Sequence, residues 1–230
     1  LQRGLTLFGG WGKNGLMKTQ AIIFDLDGTL LNTLTDIANA INVALSMHNL
    51  PTHPENAYRT MIGNGLEKLV ERALGPQNTS YFSVVLADAH TEYGKRLDQA
   101  TAPYPGINAM LADLVRMGLP LAILSNKPHD LTLDSVKTYF PETPFAVVAG
   151  AKPNVPLKPS ADAALAICQE LSVSPNQTIF VGDSQMDIKT AVNAGMFGAG
   201  VSWGFRDREE LLQAGASVVI NRPDELLALL

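Results

Sequence analysis

The apolar run Ala21-Ile22-Ile23-Phe24 breaks at once into Asp25-Leu26-Asp27-Gly28-Thr29-Leu30. A short β-rich run without polar alternation is the pattern of a strand buried on both faces of a parallel sheet. Successive side chains on a strand point to opposite faces, so Asp25 and Asp27 can serve one site only if the backbone turns at the strand end. Gly28 supplies that freedom. Two ionised carboxylates this close repel each other, and folding gains nothing obvious from them. The arrangement makes sense around a cation, or with one carboxylate as a nucleophile and the other trading a proton.

Further runs of the same kind occur at Leu119–Leu124, Phe145–Ala149, Thr178–Val181, Phe197–Val201 and Ser217–Ile220. Helical spacing lies between most of them, at Ile107–Met117, Ser160–Leu171, Met186–Ala194 and Arg208–Gln213. Alternation of this kind predicts an α/β fold, a doubly wound parallel sheet covered on both faces. From about Leu34 to Ala102 the rhythm changes. Asp36–Leu45, Pro54–Met61, Leu66–Leu74 and Tyr81–Leu97 are all helical in spacing, and no strand pattern intervenes. Thr33 followed three residues later by Asp36 predicts a capping box, and Pro103-Tyr104-Pro105-Gly106 reads as a linker. The expected organisation is a core of residues 17–33 and 103–230 with a helical cap, residues 34–102, inserted after the first strand. Residues 1–16 are Gly-rich and fit no signal peptide. They read as a leftover of expression or an upstream extension ahead of Met17.

At 230 residues the chain can hold one full core and a smaller second unit. The net charge of -5 offers no basic field for nucleic acid or an anionic membrane. No apolar run reaches the ~18–20 residues of a membrane span. These features predict a cytoplasmic protein. Cys168 sits in an apolar helical stretch and reads as a small buried hydrophobe. His48, His53 and His90 have no metal-ligand spacing, which argues against zinc.

In open α/β sheets the active site lies beyond the carboxyl ends of the strands. The sequence places Asp25 and Asp27 there, then Ser125, Asn126 and Lys127, then Lys158 before Pro159, and finally Asp183 with Asp187 four residues on. Each alone has an ordinary structural explanation as a cap, turn or solvated residue. Together they match one chemistry. Mg²⁺ takes oxygen ligands and is commonly held by one or two carboxylates, which Asp25 and Asp183 can supply. A carboxylate can attack phosphorus and a second can protonate the leaving oxygen. Ser125, Lys158 and main-chain amides of the first loop, around Thr29, can hold the charged phosphoryl oxygens.

From Ala21 onward the chain resembles the haloacid dehalogenase-like phosphohydrolases. The carriers are DLDGTLLNT (25–33), LSN (124–126), LKP (157–159) and VGDSQMD (181–187). The resemblance implies Asp25 as nucleophile and Asp27 as general acid/base. It implies Mg²⁺ held by Asp25, the main-chain carbonyl of Asp27 and Asp183, with Asp187 as ligand or support. Ser125 and Lys158 would hold the phosphoryl group. Retention of Asp27 points to phosphoryl transfer rather than dehalogenation. Met61-Ile-Gly-Asn-Gly-Leu66 and Gly200-Val-Ser-Trp-Gly-Phe-Arg206 are similar to segments of phosphoglycolate phosphatases, with Asn32 where an Asp is frequent. This finer resemblance implies 2-phosphoglycolate as substrate, with the loop Gly63, Asn64 and Gly65 facing it; Asn126 and Lys127, at the second motif, are expected to bind substrate near the phosphate, with a surface role as the alternative for Lys127. Arg59 and Lys68 flank the glycine loop and read equally as solvated. Trp203 and Phe205 read as packing or cap–core contacts. The expected partner is a small phosphorylated metabolite, and the expected assembly a monomer or homodimer. The alternatives are a pyrophosphatase, a sugar-phosphate phosphatase, a phosphomutase, or a non-catalytic binder of phospho-ligands.

Overall fold

The structure, a computed structural model, describes residues 18–96 and 99–230. The elements run β1 (Ala21–Phe24), β2 (Leu31–Asn32), α1 (Leu34–Met47), α2 (Glu55–Met61), α3 (Leu66–Leu74), α4 (Phe82–Gly94) and β3 (Ala102–Pro103). They continue α5 (Ile107–Arg116), β4 (Leu121–Pro128), α6 (His129–Tyr139), β5 (Phe145–Ala151), α7 (Asp162–Leu171), β6 (Thr178–Gly182), α8 (Gln185–Ala194), β7 (Phe197–Val201), α9 (Arg208–Gln213) and β8 (Val218–Ile220). Three 3₁₀ segments among the described residues, Pro76–Tyr81, Pro175–Gln177 and Pro223–Leu229, go beyond what the spacing predicts. The extension at 1–16 and the end of the fourth cap helix at Leu97 lie outside the described residues.

The main sheet has the order β5-β4-β1-β6-β7-β8, and every pairing in it is parallel. The chain winds outward on one side of β1 and then on the other, which opens a crevice at the carboxyl end of β1. Strand β1 is buried on both faces. Ile22 and Phe24 join one cluster with Leu111, Ile123 and Val181, while Ile23 joins another with Ala122, Ile167, Phe180 and Ala191. Each such side chain gains about 1.5–3 kcal/mol by leaving water.

Helices α1 to α4 form the cap around their own cluster of Ile41, Leu45, Tyr58, Val70, Val85 and Ala89. Two core side chains, Leu131 of α6 and Phe205 after β7, are buried in that cluster. They seat the cap on the sheet edge.

Three expectations change. The second strand does not stop at Leu124: β4 continues to Pro128, through an irregular register, and so carries Ser125, Asn126 and Lys127 within the strand. Helix α7 begins at Asp162 rather than Ser160, because the Ser160 hydroxyl accepts the Asp162 amide at 3.2 Å and stays outside as a turn residue. The capping box at Thr33 does not form. Asp36 instead accepts both main-chain amides of Ala100 and Thr101 and the Thr101 hydroxyl, at 2.7–3.0 Å. The returning linker brings three donors to one carboxylate, and charge-assisted bonds outweigh one local cap. Beside this clasp the two linkers pair as antiparallel β2 and β3, Leu31 with Pro103 and Asn32 with Ala102.

Candidate active site at the sheet edge

After β1 the chain turns tightly on itself. Leu26 O accepts the amides of Leu30 and Leu31 at 3.0 Å each, and the Gly28 amide donates to Leu31 O at 2.8 Å. Gly28 has φ +88°, and a Cβ there would lie 2.4 Å from Asp183 Oδ2. The turn therefore needs glycine twice, for its handedness and for its approach to a carboxylate. It lets Asp25 and Asp27 both line one cavity of about 50 Å³ together with Ser125, Asn126, Lys127 and Lys158.

The carboxylates divide into two sets. Asp25, Asp183 and Asp187 are buried, with one oxygen from each lying within 4.8 Å of the others. At an effective dielectric of 20 each such pair, with both members ionised, repels by at least about 3.5 kcal/mol. Lys158 Nζ offsets part of this, at 2.7 Å from Asp25 Oδ1 and 2.6 Å from Asp187 Oδ1. Burial opposes the Lys158 charge, but Asp187 and Asp25 outweigh it and hold the ammonium above its ordinary range. Burial and the Asp187 charge push Asp25 well above the usual carboxylate range, against the pull of Lys158. The same two causes push Asp183 up to about 7. Asp183 is fixed by the Thr29 hydroxyl at 3.2 Å and the Phe205 amide at 2.7 Å. Asp187 Oδ2 accepts the Ser184 amide and hydroxyl in a full capping box that opens α8. Counting Asp27, four carboxyl groups face Lys127 and Lys158, and with all of them ionised the site carries an excess of two negative charges. Three buried oxygen donors with that excess suit one hard divalent cation.

Asp27 looks away from this cluster. Its Oδ1 accepts Lys127 Nζ at 3.2 Å and the hydroxyl of Tyr93 at 3.4 Å. Lys127 also bonds the Tyr93 hydroxyl. Burial pulls the Lys127 ammonium below its ordinary range, against the Asp27 carboxylate. Burial and Asp27 push the Tyr93 phenol well up, so it stays a donor. Tyr93 was not singled out in the sequence. Its spacing on α4 is that of any core aromatic, and Asp27 lies 66 positions away.

The remaining candidates divide by what they touch. Ser125 and Asn126 are buried on the cavity wall. The Asn126 amide bonds the carbonyls of Gly63 and Lys158 and the Lys158 N–H at 2.9–3.1 Å, tying the cap loop to two motifs. Gly63 and Gly65 line the cavity. Asn64 does not: its side chain bonds Arg72 at 2.8 Å and Met186 Sδ at 3.0 Å. Thr29 is fully buried, and its hydroxyl serves Asp183 rather than the cavity. Lys68 pairs with Glu71 in solvent. Arg59 reaches the core at Gly204 O, 2.8 Å, and Arg206 answers by donating to Ile62 O at 2.8 Å and to Arg59 O. His48 and His90 pair with Asp88 and Asp130, and His53 bonds Ala73 O. Burial raises the Cys168 thiol above its ordinary range, as suits a packed side chain.

Comparison with known proteins agrees with this geometry. The haloacid dehalogenase-like hydrolase family matches residues 22–201. The chain belongs to that family. A phosphoglycolate phosphatase of Yersinia pestis is 30% identical over 213 residues, 91% of this chain and 89% of the relative. One from Haemophilus influenzae (strain 86-028NP) is 32% identical over 224 residues, 93% and 100%. The crystal structure of a predicted phosphoglycolate phosphatase from Haemophilus somnus superposes with a TM-score of 0.85 at 30% identity, covering 93% and 99%. As a haloacid dehalogenase-like hydrolase, the chain carries the expected core with its cap seated over the motif residues. Among the described residues, no helix is long and apolar enough to cross a membrane.

Proposed function

We propose that this protein hydrolyses a small phosphate monoester with Mg²⁺, and that 2-phosphoglycolate is its substrate. The observation that carries the reaction class is the split of the carboxylates: three converge on one point, and Asp27 stands apart with a hydroxyl and an ammonium. Asp25, Asp183 and Asp187 would hold Mg²⁺ with the main-chain carbonyl of Asp27. When bound, the ion supplies positive charge against the phosphoryl oxygens and the Asp25 carboxylate.

Asp25 attacks phosphorus and forms an aspartyl-phosphate. Asp27 gives its proton to the ester oxygen, which leaves as the alcohol. Asp27 then takes a proton from water, whose oxygen attacks the phosphorus and releases phosphate and free Asp25. Lys158 and Ser125 hold the phosphoryl oxygens, and Lys158 also orients the nucleophile through its 2.7 Å contact. The small cavity, about 50 Å³, supports a ligand of few atoms beyond the phosphoryl group. Lys127 also lines this cavity, with its ammonium engaged by Asp27 and the Tyr93 hydroxyl, and adds positive charge to the site without leaving those partners. The names of the relatives support the same substrate.

Phosphate release from 2-phosphoglycolate, pyrophosphate, glucose 6-phosphate and glycerol phosphate, with Mg²⁺ and with EDTA, tests this. A Mg²⁺-dependent preference for 2-phosphoglycolate is expected. Preference for another ester keeps the reaction and discards the substrate. Ligand binding without turnover discards both.

A further inference from the structure

The cap closes one side of the catalytic cavity almost entirely with hydrocarbon. Ile37, Ile62, Leu66 and Leu69 contribute apolar side chains, and Gly63 and Gly65 contribute backbone. Among the described residues lining that cavity, Tyr93 is the one cap side chain that brings a polar atom to it. Its placement follows from α4. Val85, Ala89 and Tyr93 recur every four residues and are all buried, so they form one stripe along the helix. Val85 and Ala89 spend that burial inside the cap, while Tyr93, at the end of the stripe, extends its hydroxyl to the core.

There it meets a pair of core residues. The Tyr93 hydroxyl lies 3.4 Å from Asp27 Oδ1. Lys127 Nζ lies 3.2 Å from the same oxygen, bonds the same hydroxyl and sits 4.2 Å from the centre of the Tyr93 ring. Both donors thus converge on Oδ1. An oxygen that accepts two donors is a poor place for a proton, and no donor from the described residues occupies Oδ2.

We propose that Tyr93 is a positioning residue for the acid–base carboxylate: with Lys127 it fixes Asp27 through Oδ1, so that Oδ2 carries the proton delivered to the leaving oxygen. Because Tyr93 rides on the cap, the acid is aligned only when the cap is seated. This rests on Asp27 as the general acid. In the step itself, the Oδ2–H bond breaks as the P–O(ester) bond breaks, the proton goes to the alcohol oxygen, and Asp27 is left as a carboxylate facing Lys127 and the Tyr93 hydroxyl.

The test uses two small substrates that differ in their need for a proton. 2-Phosphoglycolate must release an alkoxide oxygen, whereas acetyl phosphate releases acetate, which departs without protonation. Glycerol phosphate replaces 2-phosphoglycolate if the latter is not turned over. The value of kcat/KM reports the first chemical step, and the ratio alkyl ester to acyl phosphate is the readout. Tyr93→Phe, which keeps the ring and its packing, should lower that ratio at least ten-fold while changing acetyl phosphate turnover less than three-fold. Asp27→Asn should lower it further. Val85→Ala, on the same stripe but away from the cavity, should loosen the cap and leave the ratio within three-fold of the wild type. If Tyr93→Phe leaves the ratio unchanged while Asp27→Asn lowers it, the positioning role is wrong and the acid assignment stands. If Asp27→Asn also leaves it unchanged, the acid assignment fails and the proposal fails with it.

Discussion

Removing the proposed Mg²⁺ should change the stability of this protein by an amount that depends on pH, with a sign that Asp183 illustrates. Burial and the Asp187 charge raise its carboxyl from 3.8 to about 7 in the metal-free fold. Between those values the folded chain binds a proton that the unfolded chain does not, so metal-free stability falls as pH rises through this window and levels off above it. From pH 5.5 to pH 8 this one group accounts for a loss of about 2 kcal/mol. A bound cation requires the same carboxylate ionised. At pH 5.5 the ion must displace the proton, which weakens its affinity about 30-fold relative to pH 8 and lowers its stabilisation by about 2 kcal/mol. The two effects match because they are one linkage. Urea unfolding should therefore show a Mg²⁺-minus-EDTA gap at least about 2 kcal/mol wider at pH 8 than at pH 5.5, Asp183 supplying about 2 kcal/mol of it. In saturating Mg²⁺ the contribution of Asp183 should not vary with pH. Asp183→Asn should remove the share of the widening that Asp183 contributes, about 2 kcal/mol. An equal gap at both pH values, or no gap at either, would refute the assignment of Asp183 as a buried carboxylate that trades a proton for the ion.

Other outcomes follow from the same contacts. Asp25→Asn should abolish phosphate release while leaving the melting temperature equal or higher, since it removes one of the mutually repelling buried carboxylates; residual turnover near the wild-type value would refute its role as nucleophile. Asp36→Ala strands the amides of Ala100 and Thr101 and the Thr101 hydroxyl, and should cost about 2–4 kcal/mol in urea unfolding; a loss under about 1 kcal/mol would show that water replaces the clasp. Gly204→Ala puts a Cβ 2.2 Å from Asp183 Cβ and 2.4 Å from Gly28 O, so it should lower stability by about 1–3 kcal/mol and weaken Mg²⁺ binding measured by titration calorimetry.

The core was legible because its pattern is periodic and local. Short apolar runs such as Ala21–Phe24 and Phe197–Val201 have little alternative to a doubly covered strand, and the structure has both with those bounds. The cap helices were legible for the same reason. What the sequence hid is long-range and polar. Thr33 and Asp36 have capping-box spacing, but the partner that Asp36 takes arrives 64 residues later. Asn64 sits between two glycines in a loop that faces the cavity, yet Arg72 and Met186 draw its side chain aside. Tyr93 carries no local mark, because a buried aromatic on a helix looks alike whether its hydroxyl meets solvent or Asp27.

The pairing of Leu31–Asn32 with Ala102–Pro103 bears on how such a molecule can diversify. The two ends of the insertion leave the sheet edge side by side, joined by their own hydrogen bonds and by the Asp36 clasp. Whatever lies between them closes a loop whose ends are already together, so its length weighs little on the sheet, growing only as the logarithm of the number of residues. A lineage can thus exchange, lengthen or trim the whole lid while β1 and the turn after it stay untouched. Selection on which ester is admitted and selection on how it is cleaved then act on separable stretches of the gene, except at the few positions, Tyr93 and Arg206 among them, where lid and sheet hold one another.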